Sequence, residues 1–101
     1  MVDVEWVPEA IAHMWERRGV TSEEAMEAIN DPHALLRSPD PASRSGRSDR
    51  YVGWSRARQE VLVVIVVRSG GRLYGGNAWT ANNGYLKLYE EGRDDERTDP
   101  G

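Results

Sequence analysis

The sequence predicts an α+β domain in which an N-terminal helical hairpin and a C-terminal helix pack on a sheet of three to four antiparallel strands. An unbroken apolar run at Val61–Val67, almost entirely β-branched, favours a strand. Two amphipathic patterns joined only by a turn precede it, and they predict the hairpin. Shorter strand patterns flank the run on both sides. A strand that is apolar on both faces must be covered on both faces, so we expect helices above and below the sheet.

The first helix is predicted from about Pro8 to Arg18, after a weakly alternating stretch at Val4–Val7 that suits a short edge strand. Proline fits the first helical turn, where its missing N–H costs nothing. Gly19 is a natural residue for the end of the helix. Helical spacing places three apolar side chains on one inward face: Ile11, Met14 and Trp15.

A second helix is predicted to begin after Thr21, because Thr21 and Glu24 have the spacing of a capping box. It should end at Asn30–Pro32, since a residue that precedes proline avoids helical backbone angles. Three residues are expected to face inward: Ala25, Met26 and Ile29. The turn between the two helices leaves room only for an antiparallel pair.

The strands follow the helices. Ala34–Arg37 is predicted as a short strand, and Ser38–Ser48 as a polar loop that contributes nothing to a core. Arg50–Ser55 is predicted as a strand, with Val52 and Trp54 on one face, and it turns into the apolar run through Arg56–Gln59.

A hairpin at Ser69–Gly71 should lead into a last strand, Arg72–Trp79. Within it, Gly75-Gly76 indicates a bulge or a close backbone approach. Simple alternation places four residues on one face, Leu73, Gly75, Asn77 and Trp79, and three on the other, Tyr74, Gly76 and Ala78. The four tryptophans are expected in the core: Trp6, Trp15, Trp54 and Trp79.

A last helix is predicted at Ala81–Glu91, which completes a single domain at residues 1–91. Residues 92–101 are charged and have no apolar anchor, so we expect a disordered acidic tail. The chain has no cysteine, which excludes thiolate metal sites and disulfides. Its two histidines lack metal-binding spacing, and we expect no metal and no cofactor. The sequence shows neither a signal peptide nor a membrane span, which predicts a cytoplasmic protein.

The net charge of −4 conceals a division along the chain. Residues 1–36 and 73–101 are acidic, whereas residues 37–72 carry eight arginines against three acidic residues. The planar fork of arginine suits phosphates and carboxylates. The central segment therefore predicts either a polyanion or an acidic protein as a partner. High-GC coding is an alternative source of the arginine excess.

Several stretches, in order, resemble the BrnT family of toxins from bacterial type II toxin–antitoxin systems. VEWVPEA at 4–10 is similar to the family's opening strand and helix start, RRGVTSEEAMEAINDP at 17–32 to its turn and second helix, and SDRYVGWS at 48–55 to its next strand. The apolar strand, GRLYGGNAW at 71–79 and a C-terminal Tyr-Glu follow. The resemblance covers roughly residues 4–91 and implies a RelE/ParE-like fold.

The resemblance also implies a metal-independent endoribonuclease that is inhibited by a cognate antitoxin. RNA cleavage without metal requires proton transfer and stabilisation of a pentavalent phosphate. Arg17, Arg18 and Arg50 stand at family positions that are basic or functional, and they become candidates for contacts with RNA phosphate. Arg47 joins them because it flanks the same positive loop as Arg50.

The candidate catalytic residues are Arg18 and Arg50 for the phosphate charge, and His13 and Tyr74 for proton transfer. His13 is a candidate because it shares one helical stripe with Glu9 and Arg17. The alternative for His13 is an ordinary surface histidine. The alternatives for the two arginines are solvated side chains or internal salt bridges to the acidic helices.

Three places depart from the family pattern. Arg18 stands where the family usually has histidine, while Tyr74 and the segment Asn77–Trp79 stand where it has basic residues. Asn77 and Trp79 suit hydrogen bonding to unpaired bases and stacking on them, although Trp79 also suits the core. Three functions therefore stay open: an active endoribonuclease, a catalytically degenerate homologue that acts as a protein- or RNA-binding, regulatory module, or a plain small-molecule or structural domain, for which no specific feature speaks.

Overall fold

The computed structural model describes the backbone of residues 1–98 and the side chains of residues 1–92. It confirms the α+β layout, with one antiparallel sheet whose strands follow chain order, β1-β2-β3-β4. The elements are α1 (Pro8–Arg18), α2 (Ser22–Ile29), β1 (Leu35–Arg37), β2 (Ser48–Ser55), β3 (Glu60–Ser69), β4 (Arg72–Thr80) and α3 (Asn83–Thr98).

The helical hairpin forms where the sequence predicts it. α1 begins at Pro8 and is closed by Gly19, which adopts a left-handed φ of 66°. The capping box of α2 is complete: the Glu24 N–H donates to Thr21 Oγ1 at 3.1 Å, and the Thr21 N–H donates to Glu24 Oε1 at 2.9 Å. Both helix starts are therefore determined locally.

β3 is covered on both faces, as its apolar sequence predicts. Leu62, Val63 and Val64 are 0% exposed. Alternate residues enter two cores. The core under α1 and α2 contains Met14, Val20, Ala25, Ala28, Ile29, Leu62, Val64, Val66 and Ala78. The core under α3 is smaller and contains Val52, Val61, Val63, Ala81 and Tyr89.

α2 lies directly against the backbone of β2 at Gly53. A Cβ atom on Gly53 would lie 2.0 Å from the backbone oxygen of Ala28, so no other residue fits without a shift of the helix. This close approach lets the small side chains of Ala25 and Ala28 become fully buried.

A β-bulge interrupts β4 where the glycine pair indicates one. Val66 pairs with Gly75, but Ile65 pairs with Asn77, so Gly76 is an extra residue in β4. The prediction of simple alternation through this strand is therefore wrong, because an inserted residue changes which side chains share a face.

The bulge assigns the side chains of β4 to new faces. Leu73 packs against the core under α1 and α2, whereas Trp79 packs against the core under α3. Tyr74 pairs with Val67, and alternation along β3 places it on the α3 side of the sheet. Tyr74 therefore shares a face with Asn77 and Trp79, contrary to the prediction.

Three further expectations differ from the structure. The stretch Val4–Val7 makes only one parallel bridge, between Glu5 and Tyr74, and is not a strand. Trp15 is 58% exposed instead of buried, because α1 is short and lies at the margin of the sheet. The loop Ser38–Ser48 does contribute to the interior, since Asp40 is only 5% exposed.

α3 begins two residues later than predicted and continues to Thr98, seven residues beyond Glu91. Asn82 caps it, with Oδ1 accepting the Tyr85 N–H at 3.0 Å. Residues 99–101 lie outside the described residues, and the boundary at residue 91 and the disordered tail stay predictions. None of the helices described between residues 1 and 98 is long and apolar enough to cross a membrane.

Candidate functional site

Two of the predicted site residues contact one indole ring, that of Trp79, and two more lie further along the same face of its strand. Trp79 is half-buried on the α3 side of β4, and the guanidinium carbons of Arg18 and Arg50 each lie 5.5 Å from its ring centroid. Asn77 and Tyr74 follow along the same face of β4. We call this group the Trp79 surface: Arg18, Arg50, Tyr74, Asn77 and Trp79.

Arg50 is held in place on several sides. Its Nη2 donates to Asp40 Oδ2 at 3.3 Å, and its Nη1 donates to the Tyr85 hydroxyl oxygen at 2.8 Å. Its Nε lies 3.1 Å from Asp40 Oδ1, an ion contact without hydrogen-bond alignment. The guanidinium also lies over the Tyr85 ring, 5.4 Å from the centroid. Arg50 is therefore fixed before any ligand arrives.

Asp40 belongs to the loop Ser38–Ser48, which the sequence predicts to be polar and outside the core. Its backbone N–H donates to the Ser48 oxygen at 2.7 Å, and its Oδ1 accepts the Ala42 N–H at 3.1 Å. The Asp40 and Arg50 side chains are 6% and 14% exposed, respectively. The alternative of an internal salt bridge thus holds for Arg50, although the partner is in the loop and not in an acidic helix.

Arg18 differs from Arg50 in having no ion pair among the described residues. It is exposed at the end of α1 and reaches the Trp79 ring beside the outer edge of the sheet. A guanidinium over an indole gains about 0.5–1 kcal/mol where it is exposed. That energy is small enough for Arg18 to leave the ring and contact a ligand.

Asn77 has a local partner. Its Oδ1 accepts the N–H of Ala78 at 2.9 Å, which leaves the two amide protons of its side chain available to a ligand. Tyr74 is half-buried on the same side of the sheet, beyond Asn77 as seen from Trp79. Asn77 and Tyr74 thus extend the Trp79 surface along β4.

The remaining three predicted site residues lie apart from this group. His13 and Arg17 are exposed on α1 and make no side-chain contact with the described residues of the Trp79 surface. Arg47 is exposed one residue before β2, and its backbone oxygen accepts the Arg68 N–H at 2.8 Å. They are peripheral residues and not parts of a formed cluster.

Sequence reasoning missed Asp40, Tyr85 and Arg37. Arg37 pairs with Arg50 in the antiparallel register, so the two side chains are neighbours on one face. Arg37 also lines a cleft of about 360 Å³, together with Pro41, Asn82, Gly84, Tyr85 and Leu88. We call it the Arg37 cleft. Only the repetition of tyrosine at 85 and 89, one helical turn apart, gave a signal in the sequence.

Asp31, in the turn after α2, accepts several hydrogen bonds away from the Trp79 surface. Its Oδ2 accepts the Trp54 N–H at 2.8 Å and the Tyr89 hydroxyl at 2.5 Å, and its Oδ1 accepts the His33 N–H at 3.0 Å. Burial by itself raises the pKa of Asp31, but these hydrogen bonds and the charge of His33 outweigh it and lower the pKa below its ordinary value. Asp31 thereby ties α2, β2 and α3 together.

The Trp79 surface offers cations, an aromatic platform and one phenol. Two guanidiniums can bind a phosphate, the indole can stack on a base, and Tyr74 can exchange a proton. Among the residues whose side chains are described, no cluster of histidines and carboxylates could hold a metal ion. The arrangement therefore favours recognition of a phosphate ester with an unpaired base.

Compared with protein-family models and with curated proteins, the chain matches none of them.

Proposed function

We propose that this chain is a BrnT-like toxin with a RelE/ParE-like fold, which binds single-stranded RNA on the Trp79 surface and cleaves it without a metal. The convergence of two guanidiniums on one indole carries the proposal. The sequence predicts each of these residues as a candidate, and the bulge in β4 brings Tyr74, Asn77 and Trp79 to one face of the sheet.

Binding uses stacking and charge together. A splayed base stacks on the exposed part of Trp79 and accepts hydrogen bonds from the amide of Asn77. Arg18, which has no ion pair in the described part of the chain, leaves the indole to contact the adjacent phosphate. Base–aromatic stacking contributes about 1–3 kcal/mol, enough to offset the loss of the Arg18–indole contact.

Cleavage then requires the 2′-hydroxyl to attack the neighbouring phosphorus while the 5′-oxygen leaves. Arg18 and Arg50 stabilise the extra negative charge of the pentavalent phosphate. Tyr74 donates its phenolic proton to the leaving 5′-oxygen, while water accepts the proton of the attacking 2′-hydroxyl and a 2′,3′-cyclic phosphate forms. Since Arg50 is already fixed by Asp40 and Tyr85, it is positioned without further loss of side-chain entropy.

The test is cleavage of single-stranded RNA by purified protein in the presence of a metal chelator. Arg50→Gln alone would leave the carboxylate of Asp40 buried without a partner, so loss of activity could reflect misfolding. The informative variant combines Asp40→Asn, Arg50→Gln and Arg18→Gln, which removes both cations without creating a buried charge. We expect cleavage to be lost, with unfolding still cooperative.

Arg44→Gln is the matched control, because Arg44 is exposed, has no ion pair among the described residues and does not belong to the Trp79 surface. We expect it to cleave like the wild type. Retained cleavage in the triple variant would contradict the mechanism.

A second candidate function is a catalytically degenerate homologue that binds RNA or protein in a regulatory role. The ion pair of Arg50 with Asp40 favours it, because a neutralised guanidinium stabilises a phosphate transition state less than a free one. RNA that binds with Trp79-dependent affinity but stays intact would select this function. Cleavage that disappears in Tyr74→Phe while binding persists would select the nuclease.

The toxin proposal includes a cognate antitoxin in the cytoplasm that covers the Trp79 surface. An acidic segment would complement Arg18 and Arg47, which are both exposed. Co-purification with the product of an adjacent reading frame, weakened by Trp79→Ala, is the expected result. A complex unaffected by this substitution would place the antitoxin elsewhere.

A further inference from the structure

We propose that the Arg37 cleft is a second phosphate subsite, which takes the phosphate of a nucleotide next to the one stacked on Trp79. This deepens the proposed function and rests on it for the nucleotide origin of the ligand. The subsite lies on the same face of the sheet as the Trp79 surface, on the β1 side of Arg50.

The strand register places two positive charges side by side. Arg37 on β1 is the direct cross-strand partner of Arg50 on β2, in an antiparallel pair. Like charges at such positions are destabilising, because the Cβ atoms lie only about 5 Å apart. A sheet retains this pair at a cost unless an anion is placed between or beside the two guanidiniums.

Asp40 balances only one of them. Both of its carboxylate oxygens already face the Arg50 guanidinium, at 3.1 and 3.3 Å. Arg37 has no ion pair among the residues with described side chains, and none of the residues that line the cleft is acidic. One positive charge is left over in the cleft, and a bound phosphate would neutralise it.

Tyr85 supplies a donor that points away from Arg50. Its hydroxyl oxygen accepts a hydrogen bond from Arg50 Nη1 at 2.8 Å, so its own proton is free to be donated. Since Tyr85 lines the cleft with Arg37, a phosphate oxygen there can accept from the phenol as well as from the guanidinium. The cleft, at about 360 Å³, has room for a phosphate with its sugar.

The separation of the two subsites indicates the size of the ligand. Arg37 is on β1 and Trp79 is on β4, three strand spacings apart, which is about 14 Å at about 4.8 Å per spacing. Between them, the Arg50 guanidinium lies 5.5 Å from the Trp79 centroid and donates to the Tyr85 hydroxyl at the cleft. Because Arg50 occupies the space between the stacked base and the cleft, the phosphate in the cleft belongs to a further nucleotide of an oligonucleotide.

Titration with inorganic phosphate, followed through the backbone amide signals of ¹⁵N-labelled protein, tests the subsite without RNA. We expect the signals of Asn82, Gly84 and Tyr85 to shift, and the apparent Kd to rise about tenfold or more in Arg37→Gln. Tyr85→Phe should weaken binding less. Arg44→Gln, an equally exposed arginine outside the cleft, should bind like the wild type. Shifts that persist unchanged in Arg37→Gln, or no shifts at all, would overturn the subsite.

A second arm distinguishes an oligonucleotide phosphate from free phosphate. The salt dependence of binding is measured for single-stranded oligonucleotides of one to four nucleotides. For ligands long enough to span both subsites, Arg37→Gln should reduce the slope of log affinity against log salt by about 0.7, the value for one lost contact on a single strand. An unchanged slope with normal RNA cleavage sinks the subsite and leaves the toxin proposal standing. Phosphate binding at the cleft without any RNA binding would support an anion site there and contradict the toxin proposal.

Discussion

At the scale of single residues, Asp31 shows how one carboxylate replaces a missing strand. β1 pairs with β2 only as far as Val52, so the Trp54 N–H lies beyond the end of β1. Asp31 accepts that N–H and also the hydroxyl of Tyr89 from α3. A buried backbone donor is thereby satisfied, and three elements are joined at one point.

Asp31→Asn should lower the free energy of unfolding at neutral pH by about 1–3 kcal/mol, because the charge-assisted hydrogen bonds are lost. Since the folded pKa of Asp31 lies below its ordinary value, its contribution is present above the ordinary pKa and is lost as the pH falls through the folded value. The wild type should therefore lose stability on acidification below roughly pH 4 more steeply than the variant. Denaturant titrations at several pH values measure both effects, and parallel pH profiles would contradict this role.

Tyr89→Phe separates the parts of this cluster. It removes the hydroxyl donor but keeps the ring, which is 3% exposed in the core under α3. We expect a smaller loss, about 1 kcal/mol, since the two backbone donors to Asp31 remain. A loss as large as that of Asp31→Asn would mean that the hydroxyl alone maintains the cluster.

At the scale of elements, the contact of α2 with β2 depends on the absence of a side chain at Gly53. Substitution by alanine directs a methyl group into a backbone oxygen, which cannot rotate away as a side chain can. Small helix residues, Ala25 and Ala28, complete the contact. The position of α2 on the sheet therefore depends on three small residues: Gly53, Ala25 and Ala28.

Gly53→Ala should lower the free energy of unfolding by about 3 kcal/mol, at the upper end of the range for overpacking. Thermal or denaturant unfolding measures it. Gly84→Ala is the matched control, because a Cβ there meets only Asn82 Oδ1 at 3.4 Å and alanine favours the helix. A stability of Gly53→Ala equal to that of this control would show that α2 is not held at the position described.

Much of the element order followed from local signals. Pro8, Gly19 and the Thr21–Glu24 capping box determine the hairpin without help from the rest of the chain. The sequence did not predict which side chains of β4 share a face, because the glycine pair indicates a bulge but does not identify the extra residue. That choice depends on pairing with β3, a long-range property.

At the scale of the whole molecule, the two faces of the sheet are covered unequally. Among the residues whose side chains are described, nine are buried in the core under α1 and α2, and five in the core under α3. Half-buried residues such as Ile65 and Trp79 continue the α3 face toward β4, where the candidate site lies. The surface available for ligands is therefore the part of the sheet that the last helix leaves uncovered.

Amide hydrogen exchange should report this asymmetry. We expect β3 to exchange only through global unfolding, because its central residues are 0% exposed between two neighbouring strands. The amides of α3 should exchange faster, by opening of the helix alone. Equal protection of α3 and β3 would show that the sheet and its helices unfold as one unit.

Ion pairs between residues far apart in the chain could also not be predicted from the sequence. Five of the eight arginines in residues 37–72 form ion pairs, with Asp40, Glu27, Glu24, Asp49 and Glu5 among their partners. The positive segment predicts either a polyanion or an acidic protein as a partner, but much of its charge is balanced internally. The arginines of this segment without an ion pair among the described residues are Arg37, Arg44 and Arg47, and Arg37 lines the Arg37 cleft.

The hydrogen bond from Ala78 to Asn77 has a consequence for solution behaviour. β4 is one of the two outer strands of the sheet, and an outer strand of one molecule is a template for pairing with another. Glu5 covers the edge of β4 at Leu73 and Gly75, but not at Ala78. Because Asn77 Oδ1 accepts the Ala78 N–H, this backbone donor is not available to a strand of a second molecule. Asn77→Val would free the Ala78 N–H and add a strand-favouring side chain. The variant should therefore self-associate at lower protein concentration in light scattering. The same amide that faces the candidate RNA site would then also keep the protein monodisperse.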